Sequence, residues 1–278
     1  MDITSTATCL GVFIGLVMAL TGAGGGILSV PLLVFGLGLP MVDAAPVSMI
    51  AIALSAGLGA FLALRSGILR YRAAGLMGAA GLLLSPMGVW LAHRVPNNPL
   101  MLGFSAVLAY VGLRTLWPLW QRPRARSPGD SPAAVASRSR LPPCCLDPLD
   151  GRLRWTAPCA RALLFTGMSA GFLSGLLGVG GGFIIVPSLQ RITDLEMRSV
   201  VATSLGVLAI VALAGLGASA LMAPIRWPVA LPFALGALAG MLIGRRLATR
   251  FSGPRLQGLF ALLALVVAVS LAARTLAA

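Results

Sequence analysis

Six apolar runs, at residues 44–64, 73–92, 99–118, 200–222, 228–248 and 255–277, each reach the roughly 18 to 20 residues an α-helix needs to cross a bilayer. Two further apolar stretches, 9–39 and 161–189, carry glycine-rich breaks in their middles. Only 10% of the 278 residues are charged and 58% are hydrophobic, against about 25% charged in soluble domains. A chain this apolar cannot hide its surface in one soluble core, so lipid is the solvent it requires. Inside lipid every backbone polar group must be satisfied by the chain itself, which favours helices. The fold class is therefore an all-α polytopic membrane protein.

The formal net charge is +14, carried by 21 arginines and no lysine. On a soluble chain such a charge points to nucleic acid. Here the arginines fall between the apolar runs, as membrane topology demands; the expected partner is the lipid bilayer, with no nucleic acid. Without lysine there is neither a phosphate-loop lysine nor a Schiff base. The cysteines, Cys9, Cys144, Cys145 and Cys159, form no C-x-x-C, and His93 is far from them in sequence. No metal site and no cofactor is expected, and Cys144 and Cys145 read as free cytosolic thiols. With no Ser/His/Asp set and no nucleotide loop, the chain reads as a non-enzyme. Met1-Asp2-Ile3-Thr4 has no basic region and does not read as a cleaved signal peptide.

Shifted by 156 positions, the sequence aligns with itself without a gap, with 23 identities over positions 11–94. Gly11, Gly15, Gly22, Gly24, Gly25 and Gly26 fall on Gly167, Gly171, Gly178, Gly180, Gly181 and Gly182, and Val30-Pro31 falls on Val186-Pro187. An aligned Gly-x-Gly-Gly-Gly with Val-Pro at the same distance marks an internal duplication. Residues 1–118 form a first repeat and 161–278 a second. The stretch 119–160, rich in Pro, Arg and Ser, reads as a flexible, solvated linker.

Each glycine-broken segment either spans once or enters and leaves on one side. Residues 11–21 and 27–38 as helices would rise roughly 16 and 18 Å, each about half the hydrocarbon thickness. Single spans divide the arginines 14 to 7; re-entrant segments divide them 18 to 3, the three being Arg94, Arg226 and Arg274. The positive-inside rule favours the sharper split. Each half then holds one glycine-broken re-entrant or discontinuous helix and three transmembrane helices, and the halves are inverted repeats in the inner (cell) membrane. The linker and residues 65–72, 190–199 and 245–255 would be cytoplasmic.

The glycine clusters are the sharpest candidates for function. Irregular backbone in a bilayer is tolerated only where protein or a water-filled cavity satisfies it. A second half-helix starting near Ile27 or Phe183 would aim unpaired N–H groups and a positive dipole end at the midplane. Pro31 and Pro187 would suit its first turn. The candidate substrate-binding residues are Gly22, Gly24, Gly25 and Gly26 with Gly178, Gly180, Gly181 and Gly182. The alternative is close helix packing, the reading that suits Gly11-x-x-x-Gly15 and Gly167-x-x-x-Gly171. Ser48, Thr203 and Ser204 are further candidates, able either to donate to an anion or to bond back to their own helix. Asp43 and Ser199 read as helix N-caps.

The duplicated Gly-x-Gly-Gly-Gly followed by Val-Pro resembles the TauE/SafE family of membrane permeases. Ala202-Thr203-Ser204-Leu205 and the pair Leu69-Arg70-Tyr71 and Ile225-Arg226-Trp227 extend the resemblance to nearly all of both halves, the linker excepted. It implies export of sulfite, organosulfonates or related organic anions. A secondary transporter is the expectation, with an anion channel or a non-transporting scaffold as alternatives. Oligomeric state is not legible.

Overall fold

The computed structural model describes residues 3–21, 24–121, 144, 156–193, 195–222, 224–248 and 254–277. Among these the secondary structure is ten α-helices: α1 (Ile3–Thr21), α2 (Gly24–Leu37), α3 (Met41–Arg65), α4 (Tyr71–Arg94), α5 (Asn97–Gln121), α6 (Ala157–Leu177), α7 (Gly182–Ile192), α8 (Met197–Met222), α9 (Trp227–Ala248) and α10 (Pro254–Ala277). Six of them, α1, α3, α4, α6, α8 and α9, are long and apolar enough to cross a membrane. Large side chains such as Phe61, Leu83, Phe165, Leu221 and Leu235 are exposed on the outside of the bundle, where lipid is the fitting solvent. The linker's residues 122–143 and 145–155 lie outside the described residues, while α5 and α6 extend into its two ends.

Residues 156 positions apart occupy equivalent places. A Cβ on Gly11 would collide with the Phe233 carbonyl, and one on Gly167 with the carbonyl of Met77, the repeat mate of Phe233. Gly15 meets Ala237 as Gly171 meets Gly81. These small residues let α1 touch α9, and α6 touch α4, backbone to backbone, which is the packing role expected of both Gly-x-x-x-Gly pairs. Residue numbers rise together across each contact, so α1 runs parallel to α9 and α6 to α4. At the centre α3 and α8, themselves repeat mates, run antiparallel: Gly215 lies on Met49, and Gly59 on Leu205.

Each half begins with a hairpin. Gly25 abuts Ile14 and Met18 while Gly36 abuts Leu10, so α2 runs back along α1. In the second half the chain leaves α6 through Gly178, a left-handed residue whose N–H bonds the Ser174 carbonyl at 2.8 Å, and enters α7 from the left-handed Gly181. The outgoing arms, 19 and 21 residues, are longer than the half-helix expected; the returning arms are 14 and 11 residues.

Four sequence expectations need correction. The returning helices start at Gly24 and Gly182, closer to the breaks than Ile27 and Phe183, so Pro31 and Pro187 lie in helix interiors instead of first turns. Asp43 does not cap α3: the N-cap is Pro40, and Asp43 sits in the first turn, where its carboxylate pairs with Arg226 at 2.8 Å. Ser199 lies inside α8, which begins at Met197. Cys144, expected as a free thiol, is paired with Cys159 in the oxidised state that the structure shows. Its N–H donates to the Ile192 carbonyl at 3.1 Å, which joins the linker to the base of the α6–α7 hairpin.

Candidate functional site at the glycine breaks

Among the described residues, every buried polar side chain is a serine or a threonine. No whole arginine, histidine or carboxylate residue is buried among them, although the Arg70 Nε atom, beside Thr203, is buried with no hydrogen-bond partner; the same described residues hold no group of three metal-ligating side chains. The fully buried polar side chains available to a solute among the described residues are therefore hydroxyls, with peptide groups beside them.

The two breaks meet. A Cβ on Gly26 would stand 2.5 Å from the carbonyl oxygen of Val179, and Gly178 touches Ala45 and Val30 of the first half. Gly178, Gly180 and Gly181 have φ of 72°, 79° and 68°, the region only glycine enters without strain. Outside its helices the chain's backbone hydrogen bonds leave the N–H groups of Val179, Gly180 and Gly181 with no acceptor among the described residues. All three residues are buried. Buried, unpaired peptide donors at a helix start are the feature that binds anions elsewhere, and they are costly to leave empty. Gly180 is covered by Leu208 and Ile52, whose carbon atoms come within 2.7 and 3.1 Å of where its Cβ would be. Ile52 and Leu208 are repeat mates, so an apolar lid of two equivalent side chains closes over the break.

The structure gathers part of the expected residue set. Gly25 and Gly26 pack at the tip of the first hairpin and Gly178, Gly180, Gly181 and Gly182 form the second. Gly24 opens α2; Gly22 lies outside the described residues. Ser48 reaches the site directly: its Oγ donates to the Gly178 carbonyl across the repeat boundary, and also faces its own helix at the Ala45 carbonyl, 2.9 Å. Ser204 bonds back to the Val201 carbonyl at 2.8 Å. Thr203 accepts a hydrogen bond from the Arg70 N–H at 3.3 Å, which ties it to the α3–α4 loop and not to a break. Ile52 and Leu208 escaped sequence reading, because apolar residues in apolar helices carry no distinguishing signal.

A small cavity of about 20 Å³, lined by Ala45, Pro46, Gly175, Leu176, Ser219 and His93 among others, lies next to the second break. It has room for about one water.

No solved structure matches the chain. Two curated relatives, each described as a probable membrane transporter protein, come from Xylella fastidiosa. The protein of strain 9a5c is 28% identical over 263 residues, covering 93% of this chain and 91% of its own length. That of strain Temecula1 / ATCC 700964 is 27% identical over 262 residues, with the same coverage. The sulfite exporter TauE/SafE family matches residues 7–271, both breaks and both repeats included. The chain is a membrane transporter protein that belongs to the sulfite exporter TauE/SafE family.

Proposed function

We propose that this chain is a secondary transporter that moves a small oxyanion, such as sulfite, an organosulfonate or a related organic acid, out of the cell. The observation that carries the reading is the set of buried N–H groups at Val179, Gly180 and Gly181 with no acceptor among the described residues, facing the first half's break at the meeting of the two hairpins. An anion there would be held by peptide dipoles and hydroxyls, with no buried charge to neutralise. Glycines 24–26 and 180–182 bind it, and the two halves rock about it.

The antiparallel α3 and α8 support inverted repeats, the plan in which alternating access follows from rocking one half against the other. The helix directions put Arg94, Arg226 and Arg274 at one side, and counting loops along the sequence leaves the other 18 arginines for the opposite side, which supports a cytoplasmic linker in an inner-membrane protein. The Cys144–Cys159 bond lies on the arginine-rich side, where a reducing cytosol disfavours disulfides. Charge distributed over many loops outweighs one bond that a reductant opens. With the negative interior of a cell, an outgoing anion gains roughly 2.3 kcal/mol per charge per 100 mV, and export then needs no coupling ion.

The test is flux of sulfite and of methanesulfonate from proteoliposomes. Gly25→Val would not discriminate, because a Cβ there already meets the α1 backbone at 2.6 Å. Gly180→Asn does: asparagine tolerates a left-handed φ, and only side chains, Leu208 and Ile52, crowd that position. We expect saturable flux in the wild type and a loss of at least about tenfold in Gly180→Asn, with normal expression. Absence of flux for the whole anion panel, or a fully active Gly180→Asn, overturns the reading. Single-channel currents would make the protein a channel.

A further inference from the structure

Around the glycine breaks the two repeats have diverged in chemistry. Ser174 on α6, Ser85 on α4 and Ser219 on α8 are all buried. Their mates 156 positions away are Met18, Met241 and Ala63, buried as well. Measured against the central α3–α8 pair, Ser85 and Ser219, and Ser174 through Gly175 on the Ser85 carbonyl, lie on the three-arginine side of the level of Ile52 and Leu208, and Met241 and Met18, packed with Leu205, lie on the other side of it. The exchange is direct in space. The Ser85 hydroxyl stands 3.0 Å from where a Cβ on Gly215 would be, and at the mate Gly59 the methyl of Met241 takes that place.

The methionine side is sealed. Met18, Leu205 and Met241 join Ile52 and Leu208 in one apolar cluster. The hydroxyl found there, Ser55, is turned onto the Ala51 carbonyl with the Met18 sulfur 3.7 Å away. The serine side keeps a small void. The cavity beside the second break lies here, reaching Gly175 and Ser219. Ser174 Oγ is fully buried and has no hydrogen-bond partner. Ser85 Oγ has only the Val211 carbonyl at 3.5 Å, too long for a good bond. Both serines sit where α4 meets α6, since Gly175 packs against the Ser85 carbonyl. A buried donor left unpaired is unfavourable, and a native structure keeps one where something else binds.

We propose that Ser85 and Ser174 form a second oxyanion subsite, beside the second glycine break on the arginine-poor side of Ile52 and Leu208, while Met18 and Met241 close the arginine-rich side in this state. The inference rests on the anion-transport reading above. Two neutral O–H donors with no positive charge beside them suit a ligand that must be released: a sulfite or sulfonate headgroup passes from peptide N–H groups to hydroxyls on its way out. The divergence also assigns this arrangement to the outward-facing side of the cycle.

Thermal stability and flux test it together, with sulfite and methanesulfonate as probes. Ser174→Ala removes an unpaired hydroxyl, so without anion its Tm is equal to or above that of the wild type. Its anion-induced rise in Tm shrinks, and the Ser85→Ala/Ser174→Ala pair raises KM about tenfold, the loss of one hydrogen bond to a charged group. A wild-type Tm response and KM in the double variant overturn the subsite. If wild-type protein gives an anion-dependent Tm rise but no flux, the transport reading falls and the subsite stands; flux that is lost in Gly180→Asn but unaffected by the serine changes does the reverse. Labelling with a membrane-impermeant thiol reagent, above the wild-type background, tests the seal. Ser219→Cys should react from outside and be protected by anion, and Ala63→Cys should not react from the arginine-rich side. Equal reaction at both sites overturns the seal.

Discussion

Ser48, seven residues into α3, donates its hydroxyl hydrogen to the carbonyl of Gly178, where the opposite repeat's outgoing helix ends. One half of the molecule thereby fixes the geometry of the other half's glycine break. Both groups are buried. In Ser48→Ala the Gly178 carbonyl loses this partner, a loss of about 1–3 kcal/mol. We expect a lower Tm in detergent and reduced flux, with the fold retained. An unchanged Tm would mean that the bond does not hold the break.

Glycines in this chain do two different jobs, and substitution separates them. At Gly171 a Cβ would collide with the backbone of Gly81, whereas at Gly217 nothing lies within 4 Å. Gly171→Ala must push α6 away from α4, and overpacking of that kind costs about 1–3 kcal/mol or more. Gly217→Ala, exposed in a helix, should instead stabilise by about 0.5–1 kcal/mol, because alanine loses less chain entropy than glycine. Side-by-side unfolding in detergent checks both signs.

The sequence carried the architecture because its constraints are local or repeated. Run length against bilayer thickness located α3, α4, α8 and α9 within a few residues. The 156-residue offset paired Gly11 with Gly167 and Gly15 with Gly171, and both pairs do pack helices. Helix starts were less legible: charge and side chain suggested Asp43 as a cap, but the helix begins two residues earlier, after Pro40. Contacts between elements distant in the chain left no trace. The closure of Gly180 by Ile52 and Leu208 depends on how the halves meet, and the Cys144–Cys159 bond on the placement of Cys144 beside the start of α6 and the end of α7. No spacing rule encodes that. At the candidate site, the glycines were legible because nothing else tolerates such backbone, whereas Ser174 is one hydroxyl among many until its surroundings show it unpaired.

Asp43 and Arg226 link α3 to the loop before α9 at the arginine-poor face, 2.8 Å apart. Their side chains are 26% and 57% exposed, so solvent screens the pair, and such pairs are worth about 0–1 kcal/mol. Asp43→Asn should therefore leave Tm nearly unchanged. If the pair holds the two halves in this arrangement, the change appears in flux instead, as a raised turnover. A large drop in Tm would show that the pair carries stability that its exposure does not account for.

The Cys144–Cys159 bond offers a direct reading of sidedness. Both cysteines are buried, and the bridge ties the linker across the end of α7 through the Cys144 N–H and the Ile192 carbonyl. In the proposed topology the arginines of that side outnumber those of the other 18 to 3 and the side faces the cytoplasm, where glutathione and thioredoxin keep cysteines reduced. We therefore expect Cys144 and Cys159 to be thiols in growing cells and to pair only after oxidation of the purified protein. Acid quenching of whole cells, followed by denaturation and a maleimide mass tag, counts the thiols; a Cys144→Ser/Cys159→Ser variant gives the baseline. Two extra tags on the wild-type chain fit a cytoplasmic linker. Tags equal in number to that baseline mean a bond kept oxidised in the cell, which would place the linker outside and reverse the direction in which Ser85 and Ser174 face.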